Sequence, residues 1–379
     1  MFQVTFTFEN EKPVVVTAAP DSNLLQVARD ANVAIDAPCS GNGSCGKCKV
    51  RLLEGELFSP QTGHISDEEY ADGWRLSCGS KILSDVTVLV PDIASAYQSR
   101  MKTADLSSGE EVAVFEKIQS DIKNAGIIFD NDFITLDVTM AEPTLDDTMP
   151  DNERLIWGIQ AAFEVERVEL PYFVMKKLAR VLREANFSVK VIGEHLGDLL
   201  KVYDVRPAND ETPMVGMAVD IGTTTVAAVL VDLKSGKLLA KASTGNGQIR
   251  YGADVINRIV EQGKENGVKR LQDAIVKDTL RPLTATLCAG AGIKTHEILR
   301  VCIASNTTMN HLLLGVDAGP VRMEPYIPSF FYAHDLKAKD LGLNVNPSAD
   351  LRIAPNIGSY VGGDITAGTL ATQIGRAHV

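Results

Sequence analysis

The chain has 379 residues, 45% of them hydrophobic, which is enough for two or three globular domains with their own cores and excludes a disordered protein. Its formal charge of −12 comes without a compensating basic stripe, so no nucleic-acid partner is expected. The first residues carry no charged-then-apolar leader and no apolar run reaches the roughly 18 residues of a membrane span, so a cytoplasmic protein without membrane contact is expected.

Phe2 to Phe8 alternates apolar and polar residues as a half-buried strand does. Val14 to Thr17 follows a Glu11-Lys12-Pro13 turn, and Asn23 to Ala31 has helical periodicity. Next comes a glycine-rich loop, Cys39-Ser40-Gly41-Asn42-Gly43-Ser44-Cys45-Gly46-Lys47-Cys48, and a fourth cysteine, Cys78, follows after 29 residues. Three thiolates on one short loop reach two irons only if the backbone curls tightly, and Gly41, Gly43 and Gly46 permit that curl. Small residues also leave amide N–H groups able to point at the sulfurs. A zinc site normally shows two C-x2-C pairs, and a disulfide set belongs in a small secreted domain. The C-x5-C-x2-C spacing fits neither, so Cys39, Cys45, Cys48 and Cys78 are read as the metal ligands of a [2Fe–2S] cluster and the chain as a one-electron carrier.

A strand pair, a helix and then the cysteine loop is a β-grasp order, and this part of the chain resembles [2Fe–2S] ferredoxins. The plant-type first gap is four residues, whereas here it is five, as in the adrenodoxin-like branch. A strand Val86 to Val90 closes this first domain, 1–92. Cys288 and Cys302 lie in apolar contexts and read as plain core residues.

Residues 93–125, rich in Ser, Asp, Glu and Lys, read as a linker containing one short amphipathic helix, Val112 to Ile122. It serves either as a tether for a visiting cluster domain or as a spacer. Residues 126–210 alternate strands and helices: strand Phe133 to Val138, helix Asn152 to Gln160, helix Pro171 to Asn186, and strands Ser188 to Ile192 and Leu200 to Val205. This predicts a small α/β middle domain with no catalytic constellation. Lys176, Lys177, Arg180 and Arg183 on its second helix read as a solvated face.

From Met214 an apolar strand runs to Asp220, a Gly222-Thr223-Thr224-Thr225 turn follows, and a second apolar strand returns. Gly222 lets the backbone approach a phosphate, the amides and hydroxyls of Thr223, Thr224 and Thr225 can bond phosphate oxygens, and Asp220 can hold Mg²⁺ through water. No lysine follows the glycine turn, so this is not a Walker loop. The hairpin resembles the phosphate-1 motif of the acetate and sugar kinase, Hsp70 and actin superfamily. Helices over 251–266 and 268–288 are expected, then strand Leu299 to Ala304. Ser305 or Asn306 should cap an apolar helix ending at Leu314. Strand Leu351 to Pro355 and a glycine-rich turn lead into a last helix. The order βββαβαβα is that of the first RNase H-like lobe of an actin-like ATPase fold. Asp364 stands where kinases of that superfamily carry the acidic residue that orients the attacking nucleophile.

A multidomain α/β chain with a β-grasp [2Fe–2S] ferredoxin domain, a small α/β middle domain and such a lobe resembles the reductive activators of corrinoid proteins over residues 1 to 373. The resemblance implies that the cluster passes one electron to the Co(II) corrinoid of a methyl-transfer partner, restoring Co(I). Mg-ATP in the second domain would drive a step that is uphill because the corrinoid couple lies lower than the cluster. It also implies an upstream low-potential electron donor, and it leaves a homodimer open. A rival reading is a plain ferredoxin-type electron-transfer or reductase component with a non-catalytic docking lobe. Another is an activator of a radical dehydratase, disfavoured because those use a [4Fe–4S] cluster. A full superfamily member carries a second lobe with a second D-x-G-T-like turn. The lobe at 211–373 is therefore expected to be incomplete and this chain to lack ATPase activity. Residues 374–379, Ile374-Gly375-Arg376-Ala377-His378-Val379, correspond to the start of a common sequencing adapter and are expected to be an artefact.

Overall fold

A computed structural model of the chain describes residues 1–9, 12–31, 33, 35–37, 39, 41–91, 102–103, 109–127 and 132–372. Glu11, Ser40, most of the first half of the expected linker and the 374–379 segment lie outside the described residues.

The N-terminal part contains β1 (Phe2–Thr7), β2 (Val14–Ala18), α1 (Leu24–Asp30), β3 (Lys49–Glu54), β4 (Leu57–Phe58), α2 (Asp67–Ala71), β5 (Trp74–Leu76), β6 (Lys81–Ile82) and β7 (Val86–Leu89). Its main sheet has the order β2-β1-β7-β3-β5, with β1 and β7 parallel and the other pairs antiparallel. The alternation in β1 buries Val4 and Phe6 completely, and Leu24, Leu25 and Ala28 of α1 complete the same core. Helix α1 starts where it does because the Asn23 side chain accepts the Gln26 N–H at 3.1 Å.

β8 (Lys102–Thr103) and α3 (Glu110–Asn124) fall in the expected linker. The middle part follows as β9 (Phe133–Thr139), α4 (Asp151–Ala162), β10 (Arg167–Glu169), α5 (Tyr172–Glu184), β11 (Ser188–Leu196) and β12 (Leu199–Pro207). Its sheet runs β10-β12-β11-β9. Leu155 and Ile159 of α4 and Val174, Leu178 and Leu182 of α5 share one core with Val189, Val191, Leu200 and Val202 of the sheet. On α5 Arg183 pairs with Asp151 at 2.7 Å on the exposed face, whereas Lys177 is partly buried and reaches the buried Asp204, so the solvated-face reading does not hold for Lys177.

The C-terminal part comprises β13 (Val215–Ile221), β14 (Thr225–Asp232), β15 (Leu238–Gly245), α6 (Val255–Gln262), α7 (Gly267–Ile275), α8 (Arg281–Ala291), β16 (Ile298–Ser305), α9 (Thr307–Leu314), β17 (Asp350–Ile353) and α10 (Gly363–Thr372). The sheet order is β17-β16-β13-β14-β15-β8: an antiparallel meander β13–β15, then β16 parallel to β13 and β17 parallel to β16. β8 adds an antiparallel edge to β15, and Gln119 of α3 donates to the Gly236 carbonyl at 2.8 Å. The described linker residues are thus docked on this sheet rather than forming a free tether.

Two helix expectations need correction. The 268–288 helix is interrupted by a π-helical turn, Val276–Leu280, immediately before Pro282, which has no N–H to continue the ladder. The 251–266 helix shortens to α6, because the Asp254 side chain caps Asn257 N–H at 2.8 Å and a 3-10 turn, Gly247–Tyr251, comes before it. Cys288 is buried as expected, but Cys302 is exposed. Strand β16 alternates faces, so Val301 and Ile303 enter the core while Cys302 stands in a cross-strand row between Ala218 and Arg352. Among the described residues no helix is long and apolar enough to cross a membrane.

Candidate functional site

The cysteine loop curls through left-handed backbone at Gly41 (φ +93°), Gly43 (φ +81°) and Gly46 (φ +64°), a region that residues with a Cβ rarely adopt. Asn42 stiffens the tip by accepting from the Ser44 hydroxyl at 2.7 Å. Cys78, 30 residues beyond Cys48 in sequence, is brought to the loop by two hydrogen bonds: its carbonyl accepts from the Asn23 side chain at 2.7 Å, and the neighbouring Ser77 N–H bonds the Cys48 carbonyl at 2.9 Å. No two of the cysteines form a disulfide.

The thiols stand as two pairs. Cys45 donates to the Cys39 sulfur at 3.2 Å, and Cys78 donates to Cys48. Burial pushes the Cys39 thiol up, but the bond from Cys45 and amides of Gly41, Cys45 and Ser44 outweigh it and bring Cys39 down to about 7. The bond from Cys78 is the main cause that brings Cys48 down to about 6. The donors go the other way: Cys45 is raised, chiefly by burial, and Cys78 is raised by holding its proton against Cys48. Each pair therefore shares a proton that metal would replace, and backbone N–H groups are aimed at sulfur. Four free thiols, two close pairs and amide donors fit an iron–sulfur cluster.

Asp220 sits near the end of β13, and the hairpin turns at Gly222 to Thr225 into β14. All four carbonyls of the turn are engaged by the protein. Gly222 O accepts from Asn246 Nδ2 at 2.8 Å, Thr223 O from Arg258 Nη2 at 2.5 Å, Thr224 O from the Asn246 N–H at 2.8 Å, and Thr225 O from the Gly222 N–H at 2.9 Å. No carbonyl is then left to repel an anion at the turn, whose Thr224 and Thr225 are exposed. Gly222 has a steric duty as well: a Cβ there would stand 2.7 Å from the Thr225 carbonyl oxygen.

The Asp364 end of the site is built from polar side chains of three elements. Asn306, not Ser305, caps α9, accepting from Thr308 N–H at 2.9 Å, while Ser305 donates to Asn310 at 2.6 Å. Asn310 in turn donates to the Asn356 side chain at 2.9 Å, which accepts the Gly363 N–H at 3.3 Å and so seats α10. Asp364 in the first turn of α10 is close enough to Asp220 for its charge, after burial, to raise the Asp220 carboxyl above its ordinary range. The structure thus gathers Asp220, the hairpin and Asp364 at one place, and in the first domain pairs Cys39 with Cys45 and Cys48 with Cys78.

Asn246 and Arg258, both completely buried, were not legible as site residues. Gly245-Asn246-Gly247 signals a turn, but the carbonyls it serves lie more than twenty residues away in sequence, and an arginine inside α6 carries no local signal of burial.

Residues 7–83 match the family described as the 2Fe-2S iron-sulfur cluster binding domain, residues 123–212 the RACo linker region, and residues 215–377 the RACo middle region. This order of regions makes the chain similar to the reductive activators of corrinoid proteins. The corrinoid activation enzyme RamQ of Eubacterium limosum is 27% identical over 358 residues, 93% of this chain and 53% of that protein. The solved structure of a reductive activator for corrinoid, iron-sulfur protein matches with a TM-score of 0.55 at 30% identity, covering 99% of this chain and 58% of that one. The chain thus spans somewhat more than half the length of these relatives. The N-terminal part alone also resembles a component of the Na(+)-translocating NADH-quinone reductase of Mannheimia succiniciproducens. That match is 32% identical over 91 residues, 24% of this chain and 22% of that protein. A [2Fe–2S] cluster is accordingly the cofactor of the N-terminal sheet.

Proposed function

We propose that this chain provides the electron-donating domain and one phosphate-gripping face of an ATP-dependent corrinoid activator. The observation that carries the reading is the hairpin whose carbonyls all turn inward beside Asp220 and Asp364, in a chain that also bears the four-thiol loop. The strand order β15-β14-β13-β16-β17 supports an RNase H-like lobe of the actin-like ATPase type. In this reading Cys39, Cys45, Cys48 and Cys78 hold the cluster, which when bound supplies one electron at a time. The amides and hydroxyls of Thr223, Thr224 and Thr225 bond phosphate oxygens, Asp220 orders Mg²⁺ through water, and Asp364 orients the attacking water.

The partner proposed is a corrinoid protein of a methyl-transfer system, the substrate class that the names of the two long relatives share. ATP has a physical role because plant-type clusters sit near roughly −400 mV and each ~59 mV shortfall costs tenfold for one electron. ATP turnover is proposed for a protein of the relatives' full length. The test is Asp220→Ala in that protein: dithionite should still reduce the cluster, while ATP-dependent reduction of Co(II) corrinoid should be lost. Equal corrinoid reduction with and without ATP in the unaltered protein would overturn the reading in favour of plain electron transfer.

A further inference from the structure

The hairpin and the cysteine loop belong to different sheets, yet one short stretch of chain holds both. At one end of the stretch, Asn246 binds the carbonyls of Gly222 and Thr224, both at 2.8 Å. At the other end, the carbonyl of Arg250 accepts the N–H of Ala37 at 3.1 Å, two residues before Cys39. The turn between them is braced: Gln248 is completely buried, its N–H bonds the Asn246 side chain at 2.9 Å, and its carboxamide donates to Leu271 O at 2.9 Å.

Helix α6 makes a second connection. Arg258 binds Thr223 O and also Gly252 O at 2.8 Å. One turn further on, the completely buried carboxylate of Glu261 meets Arg29 of α1 at 3.5 Å, together with Arg270 at 2.8 Å and Lys264 at 3.0 Å. Arg29 is itself buried and lies along the cysteine loop, since a Cβ on Gly41 would stand 4.0 Å from its Nη1. An ion pair out of water, between two sheets, is held by geometry and is costly to break from one side.

We infer that the Asn246–Arg250 turn and α6 couple the phosphate hairpin to the cluster loop, so that a polyphosphate on residues 222–225 changes the setting of the cluster. The inference rests on the phosphate reading of the hairpin. Its physical basis is the planarity of the peptide: the Thr224 N–H offered to a phosphate and the Thr223 carbonyl held by Arg258 are two ends of one rigid unit. Binding at one end tilts and polarises the other, and the strain passes to α6 and Arg29. Linkage makes the effect reciprocal, so the redox state of the cluster must alter nucleotide affinity by the same factor. Asn246, Arg258 and Glu261 act as positioning residues.

The experiment is calorimetric titration of Mg-ADP into the full-length, cluster-loaded protein, oxidised and then dithionite-reduced, with the cluster potential measured with and without Mg-ADP. The expected result is an affinity difference of about fivefold or more between redox states, matched by the potential shift. Asn246→Ala and Glu261→Gln should each shrink that difference toward unity with the cluster absorption intact, and Glu261→Asp should keep most of it. Equal Mg-ADP affinity in both redox states would overturn the coupling and leave the phosphate reading standing. Absence of any Mg-ADP binding would overturn both. A difference undiminished in folded Asn246→Ala and Glu261→Gln would refute the proposed route. The unaltered protein decides the matter even where a variant does not fold.

Discussion

Gly362→Ala is a sharp test of how the Asp364 helix is seated. A Cβ at Gly362 would stand 2.4 Å from Ser305 O, 2.5 Å from Thr307 N and 2.6 Å from Asn306 C. All three are backbone atoms at the capped start of α9, and Asn306 further ties this junction to Tyr360 O at 3.0 Å. No flexible side-chain end can yield, so the loop carrying α10 must back away. Overpacking of this kind costs about 1–3 kcal/mol. For a unit of the lobe's size each kcal/mol moves the melting temperature by about 2–4 °C, so its transition should fall by roughly 2–12 °C. Gly368→Ala is the internal control: it lies within α10 with nothing within 4 Å of the added Cβ. There the helix propensity of alanine should add about 1 kcal/mol. Scanning calorimetry on both variants, with Mg-ADP titration, reads the result. Gly362→Ala should also weaken nucleotide binding by moving Asp364 from Asp220. A Gly362→Ala protein that melts like the parent, or a Gly368→Ala protein that loses more stability than it, refutes the reasoning.

Cys45→Ser should abolish or strongly disturb the visible absorption of the [2Fe–2S] cluster, while exposed Cys302→Ser leaves it unchanged; unaltered iron content in Cys45→Ala and Cys78→Ala would sink the ligand assignment. Asp220 titrates above its ordinary value because of burial and Asp364, so the folded state binds that proton more tightly than the unfolded one. Its contribution to stability is therefore lost as pH rises through the folded pKa. Although Asp220 is exposed, the neighbouring Asp364 charge remains, so Asp220→Asn should melt slightly higher than the parent at neutral pH without Mg²⁺, converge with it toward about pH 4, and fail to bind Mg-nucleotide; a parent that melts higher at neutral pH would contradict the like-charge argument.

The parts of the fold that were legible in the sequence are those governed by local pattern. Alternation in Phe2–Thr7 and the apolar runs on either side of Gly222 mark strands, and the Asn306 cap follows from cap chemistry, whereas the Asp254 cap that shortens α6 was missed. The cysteine spacing announced its own chemistry. What was not legible depends on partners distant in sequence. β10 spans three residues and exists because it pairs with β12, too short a run to show a period. Cys302 reads as core by its apolar neighbours, yet it occupies the uncovered phase of β16. Arg29, Asn246, Arg258 and Glu261 are polar residues whose meaning arises only where two sheets meet, and a pattern of single residues carries no record of that meeting.

In the proposed function, electron delivery by the cluster is made productive by nucleotide at the hairpin. The most direct measurement is anaerobic spectrophotometry of a Co(II) corrinoid protein mixed with the reduced full-length protein, with and without Mg-ATP. Co(I) should accumulate only when both the reduced cluster and Mg-ATP are present, and Asp220→Ala should abolish the ATP-dependent part. Co(I) formation at the same rate and extent without Mg-ATP, or unchanged by Asp220→Ala, would contradict it.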